Sequence, residues 1–171
     1  MTAFRMIRTP ALLVAFAALV TACQAPAPPA EPEAPDYAAE LSPAFNTFIE
    51  VFNTQDYSKL EGVFAPNFRR IAPDQNANGP EEMAAFMQQV HATYPDFQVV
   101  LGESLFGENL SFNQWTVTGT ATLEDGTEAV IETPGVTMVR YADGMITEEW
   151  VYYDTAAMME QLGMSTIPHV E

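Results

Sequence analysis

The chain has 171 residues, 48% of them hydrophobic, which is enough for one domain with a real core behind a short leader. It carries 23 acidic against six basic residues, a formal charge of −17. A field of that sign repels nucleic acid and anionic lipid headgroups and leaves neutral or cationic small molecules compatible. One cysteine permits no intramolecular disulfide, and two distant histidines without paired cysteines give no zinc spacing, so neither a metal nor a cofactor is expected. Nucleophile-elbow, phosphate-loop and dinucleotide fingerprints are absent from the sequence.

Arg5 and Arg8 precede a continuous apolar run over residues 11–20, and Val20-Thr21-Ala22 lead into Cys23, the only cysteine. A charged start, a short apolar run and small residues before a cleavage point mark an export signal. The run is shorter than the about 20 apolar residues that a spanning helix needs. Ending on Cys23, the segment resembles a bacterial lipoprotein signal. The resemblance implies loss of residues 1–22, acylation of Cys23, and a lipid-anchored place in the cell envelope, at the outer membrane facing the periplasm. Residues 23–37, rich in Pro, Ala and Glu, read as a tether, whose stretch from Gln24 to Pro35 extends on the order of 35 Å at ~3 Å per residue. Loss of Arg5 and Arg8 leaves Lys59, Arg69, Arg70 and Arg140 as the only cations against 23 acidic residues, a formal charge of −19.

Residues 38–171 form the folded domain. Phe45, Phe48, Ile49 and Phe52 recur at the spacing of one helical face, with Ser42-Pro43 as the start. A short helix is expected over 57–64 behind Asp56, stopped by Pro66, then a short strand over 68–71. A helix opening at Asn78-Gly79-Pro80 presents Met83, Phe86, Met87, Val90 and Tyr94 on one stripe, and Pro95 ends it. From Phe97 the period becomes two, predicting strands over 97–106, 110–123, 128–141 and 145–154, with turns at Gly107-Glu108-Asn109, Asp125-Gly126 and Asp143-Gly144. Pro134-Gly135 is expected to mark a bulge. A helix over 155–162 closes at Gly163. Helices followed by a strand meander give an α+β domain, with helices on one side of a sheet and room for a pocket between them.

Four segments in this order resemble the SnoaL-like polyketide cyclase family of the nuclear transport factor 2-like superfamily. They are Phe48-Ile49-Glu50-Val51-Phe52-Asn53-Thr54-Gln55-Asp56, Tyr94-Pro95-Asp96-Phe97, Trp115-Thr116-Val117-Thr118-Gly119-Thr120, and Asp143-Gly144-Met145-Ile146 running on through Glu149-Trp150 and Asp154 to Gln161-Leu162-Gly163. The resemblance implies a cone formed by a curved antiparallel sheet wrapped on the N-terminal helices around a central apolar pocket. It also implies self-association through the outer sheet face as a homodimer, and acid–base chemistry without metal or organic cofactor. The family's carboxylate at the end of the last long strand matches Asp154. Where some relatives read Glu-His-Trp, this chain reads Glu148-Glu149-Trp150.

Asp154 has two readings. In an apolar pocket its pKa would rise into the range of a general acid or base; standing just before a helix, it would instead cap that helix and accept backbone N–H bonds. By period two, Glu148, Trp150, Tyr152 and Asp154 share one strand face, which either lines the pocket, with Tyr152 and Glu148 assisting catalysis, or forms a mixed edge with the aromatics in the core and Glu148 reaching solvent. Trp115, Val117 and Phe86 are expected to line the same pocket. His91, beside the third helix's apolar stripe, is either a base facing the pocket or a satisfied boundary residue. His169 lies in the tail. Asp74 to Gly79 begins faintly like a calcium loop but reads better as a polar loop.

Three functions fit: a membrane-tethered domain binding a small hydrophobic or neutral organic ligand, a cofactor-independent cyclase, isomerase or hydratase, or a non-catalytic envelope assembly protein.

Overall fold

The computed structural model describes residues 35–164; the signal segment, Cys23, most of the tether and His169 lie outside them. Asp36 opens α1 (Tyr37–Thr54) by accepting the Ala39 N–H at 3.0 Å. The helix thus begins before Ser42-Pro43, and Pro43 sits inside it on the exposed side, where water can take the carbonyl that its ring leaves unpaired. Leu41, 3% exposed, holds this extra first turn to the core. The apolar stripe of Phe45, Phe48, Ile49 and Phe52 is buried along one face.

A single 3-10 turn (Tyr57–Leu60) replaces the helix expected over 57–64, and β1 (Phe64–Ile71) starts earlier than expected. Pro66 does not stop this strand. It is exposed in the stretch where β1 slips register between Phe64 and Arg69, and there a missing N–H costs no ladder bond. β2 (Ala77–Asn78) leads into α2 (Gly79–Thr93), whose Glu82 carboxylate reaches back to the Asn78 N–H at 2.7 Å. Then follow β3 (Gln98–Gly107), β4 (Leu110–Thr122), β5 (Glu128–Ala142) and β6 (Met145–Tyr153), close to the expected bounds, and α3 (Thr155–Gln161).

The strands form one curved, unclosed sheet in the order β2-β1-β6-β5-β4-β3, antiparallel except where β1 joins β6. α1 packs over β3 and α2 over β1. The Asn53 side chain locks the end of α1 to the sheet by donating to the Val99 carbonyl at 2.9 Å and accepting its N–H at 2.7 Å. Asp96 ties the α2–β3 turn to β4 by accepting the Thr120 N–H and hydroxyl at 2.6 and 2.7 Å.

Pro134-Gly135 makes no bulge: β5 keeps register with β4 straight through it. β6 pairs only as far as Tyr153 opposite Gly135, so Pro134 lies just past the end of that ladder. Gly135 instead makes room, since a Cβ there would fall 2.1 Å from Cη2 of Trp115. Besides the slip in β1, register breaks occur in β3 between Leu101 and Ser104, and in β6, which carries one extra residue opposite Arg140 and Tyr141. The outer sheet face leaves Val100, Leu105, Phe112 and Tyr152 exposed. Among the described residues no helix is long and apolar enough to cross a membrane.

Candidate functional site

A cavity of about 240 Å³ lies between α1, α2 and the concave side of the sheet. It runs along the strands, lined on β5 from Thr137 to Thr133 and on β6 from Glu149 to Tyr153. Trp115, Val117 and Phe86 line it as expected from their positions on uninterrupted elements. Trp115 is fixed by donating from Nε1 to the Thr137 hydroxyl at 2.7 Å. Phenylalanine rings and Trp150 do not fill the space.

The extra residue in β6 decides which face of that strand meets the cavity. Ile146 pairs with Tyr141 and Glu148 with Arg140, so Thr147 is unpaired and the alternation slips by one. Ile146 and Glu149 therefore both point inward, although an unbroken strand would set them on opposite faces. Glu149, Val151 and Tyr153 line the cavity, and the set expected there faces out. Glu148 lies on the outer side between Arg69 at 3.0 Å and Arg140 at 3.5 Å. Tyr152 is 57% exposed. Trp150 stands opposite Met138 with its Nε1 covered and unpaired.

Asp154 takes the capping role, accepting the Ala157 N–H at 3.0 Å at the start of α3. It is exposed and lies outside the cavity lining. His91 is buried with both ring nitrogens occupied. Nε2 donates to the Phe52 carbonyl at 2.8 Å, and Nδ1 pairs with the Tyr57 hydroxyl at 2.7 Å. It ties α2 to α1 and does not line the cavity.

The polar centre is one that the expected residues missed. Arg70, 6% exposed, and Glu149, 4% exposed, face each other across the parallel β1–β6 ladder. Arg70 Nε lies 3.4 Å from Glu149 Oε2, near enough for charge attraction, but no hydrogen bond reaches Oε2. Asp74 grips the guanidinium from the other side, Nη1 at 2.9 Å and Nη2 at 3.2 Å, and Nη1 also donates to the Gln75 carbonyl. The guanidinium carbon sits 4.1 Å from the centre of the Phe86 ring. The loop read as faintly calcium-like thus spends its first carboxylate on an arginine. Burial pushes the Glu149 carboxyl up to about 7, with Arg70 holding it down and Asp74 raising it further. Burial also pushes the Tyr153 phenol up to about 12.

Two signals in the chain point to Glu149. Ile146 belongs to the core and lies three residues before it, a spacing that calls for a bulge if both face in. The resemblance also puts Glu149 where some relatives carry histidine.

The shift ties Glu149 to stability. Its carboxyl holds a proton to about pH 7 in the folded state and releases it near 4.5 when unfolded. The folded state binds more protons between those values, so stability falls as pH rises through that window, by roughly 3 kcal/mol in all. Urea unfolding between pH 4.5 and 7.5 is expected to show this slope in the wild type and to lose most of it in Glu149→Gln. An unchanged slope in the variant would refute the assignment.

Solved structures share this architecture. A candidate SnoaL-like polyketide cyclase from Jannaschia sp. CCS1 superposes with a TM-score of 0.66 at 20% identity, covering 81% of this chain and 100% of that one. IdmH, a candidate polyketide cyclase from Streptomyces antibioticus, does so with 0.63 at 23% identity, covering 72% and 98%. TsrD from Streptomyces laurentii gives 0.66 at 18%, covering 77% and 98%. Comparison with curated proteins gives no match. The SnoaL-like domain family matches residues 45–149, the greater part of the chain. That match spans more than half of the sequence, and the chain belongs to the SnoaL-like domain family.

Proposed function

We propose that this is a lipid-anchored envelope protein whose domain binds a small, mostly apolar molecule in the cavity beneath the sheet. The observation that carries the reading is the cavity itself: open, walled mainly by aromatic and aliphatic side chains, and polar chiefly at the Arg70–Glu149 end. The segment ending in Cys23 supports the anchor.

A second reading, a cofactor-independent acid–base enzyme, is favoured by one observation. Glu149, at about 7, can take up and give back a proton near neutral pH, the role first considered for Asp154. A carbonyl ligand would lose a proton from its α-carbon to Glu149 and regain one from the same carboxyl. The developing enolate oxygen would accept hydrogen bonds from the Tyr153 phenol, which stays protonated, or from the buried Thr133 hydroxyl, which has no partner.

1-Indanone is a suitable probe of both. It is expected to raise the melting temperature of the wild type by a few degrees and not that of Val117→Phe, which fills the cavity. If the enzyme reading holds, its α-protons exchange with deuterium, and Glu149→Gln slows this about a hundredfold or more, while Asp154→Ala only costs about 1 kcal/mol of stability. No melting shift for 1-indanone or similar neutral aromatics would sink the pocket reading. For the anchor, Cys23→Ser is expected to move the protein from the membrane fraction to the soluble one; a variant that stays in the membrane argues against acylation.

The exposed Leu105 and Phe112, paired across β3 and β4 on the outer face, support association of two copies through their sheets. Sedimentation is expected to show a dimer that Leu105→Lys with Phe112→Lys converts to monomer. A monomeric wild type at tens of micromolar would remove this proposal.

A further inference from the structure

We propose that the ligand class of the cavity is a small hydrophobic amine, bound as its ammonium ion with an N–H donating to Glu149 and its apolar body among the aromatic side chains. This deepens the cavity reading and rests on it.

Three charged side chains face the cavity: Arg70, Asp74 and Glu149. The two carboxylates outnumber the guanidinium by one, so an ionised site carries an unbalanced negative charge. Arg70 offers little to an anion. Asp74 takes both terminal nitrogens, the Gln75 carbonyl takes a further donor from Nη1, Nε faces Glu149, and Phe86 covers one flat face. Glu149 is in the opposite condition. It is 4% exposed, lines the cavity, and has an oxygen that no donor reaches. A buried acceptor without a donor is costly, and a cationic donor satisfies it more strongly than a neutral one.

The remaining wall suits the same guest. Phe52, Tyr94, Phe97, Trp115 and Tyr153 surround the space with rings, whose faces attract a desolvated cation. The chain's formal charge of −17 enriches small cations near the protein. The raised proton affinity of Glu149 agrees: an empty cavity balances its charge with a proton, and an ammonium would take that proton's place.

Calorimetry on the full-length protein at pH 7.5 separates the possibilities with three probes of similar shape: N,N-dimethylbenzylamine, which is cationic there, its uncharged carbon counterpart isobutylbenzene, and anionic phenylacetate. The amine is expected to bind at least about tenfold tighter than isobutylbenzene, and phenylacetate not measurably. Glu149→Gln should erase the preference for the amine and keep affinity for isobutylbenzene; Val117→Phe should abolish binding of both. Equal affinity for amine and hydrocarbon, tighter binding of the anion, or a preference that persists in Glu149→Gln overturns the inference, as does amine binding that survives Val117→Phe and so belongs to the acidic surface. The wild-type comparison stands alone if a variant does not fold. If isobutylbenzene binds and the amine does not, the cavity reading survives and the amine falls; if no probe binds, both fall.

Discussion

Arg70 reaches the interior because β1 lies parallel to β6 in a register that sets it opposite Glu149, so two neighbouring strands each bring a charge to one buried row. Burying ions costs several kcal/mol apiece before any attraction is counted, and a lone pair at 3.4 Å does not offset that by itself. The surrounding structure supplies the rest. Asp74 meets the guanidinium with two oxygens, the Gln75 carbonyl takes another donor, and the Phe86 ring lies against it. The loop between β1 and β2, the middle of α2 and one end of the cavity therefore meet at one arginine. Glu149 receives no comparable support, and the asymmetry makes it the group whose protonation changes near neutral pH.

The elements were legible in the chain wherever the pattern was long. The four meander strands and the two main helices follow from periodicity because each carries several apolar residues in phase, and Trp115, Val117 and Phe86 fall in the cavity for the same reason. Prolines misled, since Pro43 and Pro66 occupy exposed positions where a missing N–H has little cost, and neither ends its element. The site on β6 was not legible from alternation, because one unpaired residue, Thr147, reverses the parity of everything after it. An unbroken strand would put Glu148 and Tyr152 on one face with Trp150, and each lies one step from the residue that does face in. Of the two readings of Asp154, local chemistry favoured the cap, and the cap is what forms.

Membership in the SnoaL-like family fixes the shape of the cone and leaves its chemistry open. At 18–23% identity the compared structures share backbone, and a cavity in such a fold is shaped by details that identity at this level does not carry. Two glycines show how fine that shaping is. Gly135 leaves space for the indole of Trp115, and a Cβ at Gly119 would stand 2.9 Å from that of Tyr94. Both aromatics line the cavity, so the absence of two methyl groups on the sheet sets how closely the wall approaches a guest.

His91 sharpens the contrast with Glu149. Each is almost wholly buried, yet their surroundings differ in one respect. The histidine has a fixed partner at both nitrogens, the Phe52 carbonyl and the Tyr57 hydroxyl, so its bonding capacity is spent on joining two helices. Glu149 lines the cavity and has an oxygen without a donor. A titratable group can act on a guest only if the fold leaves some of its bonding unfilled. By that measure the chemistry of the cavity resides in the carboxylate, and the histidine belongs to the frame that holds the cavity open.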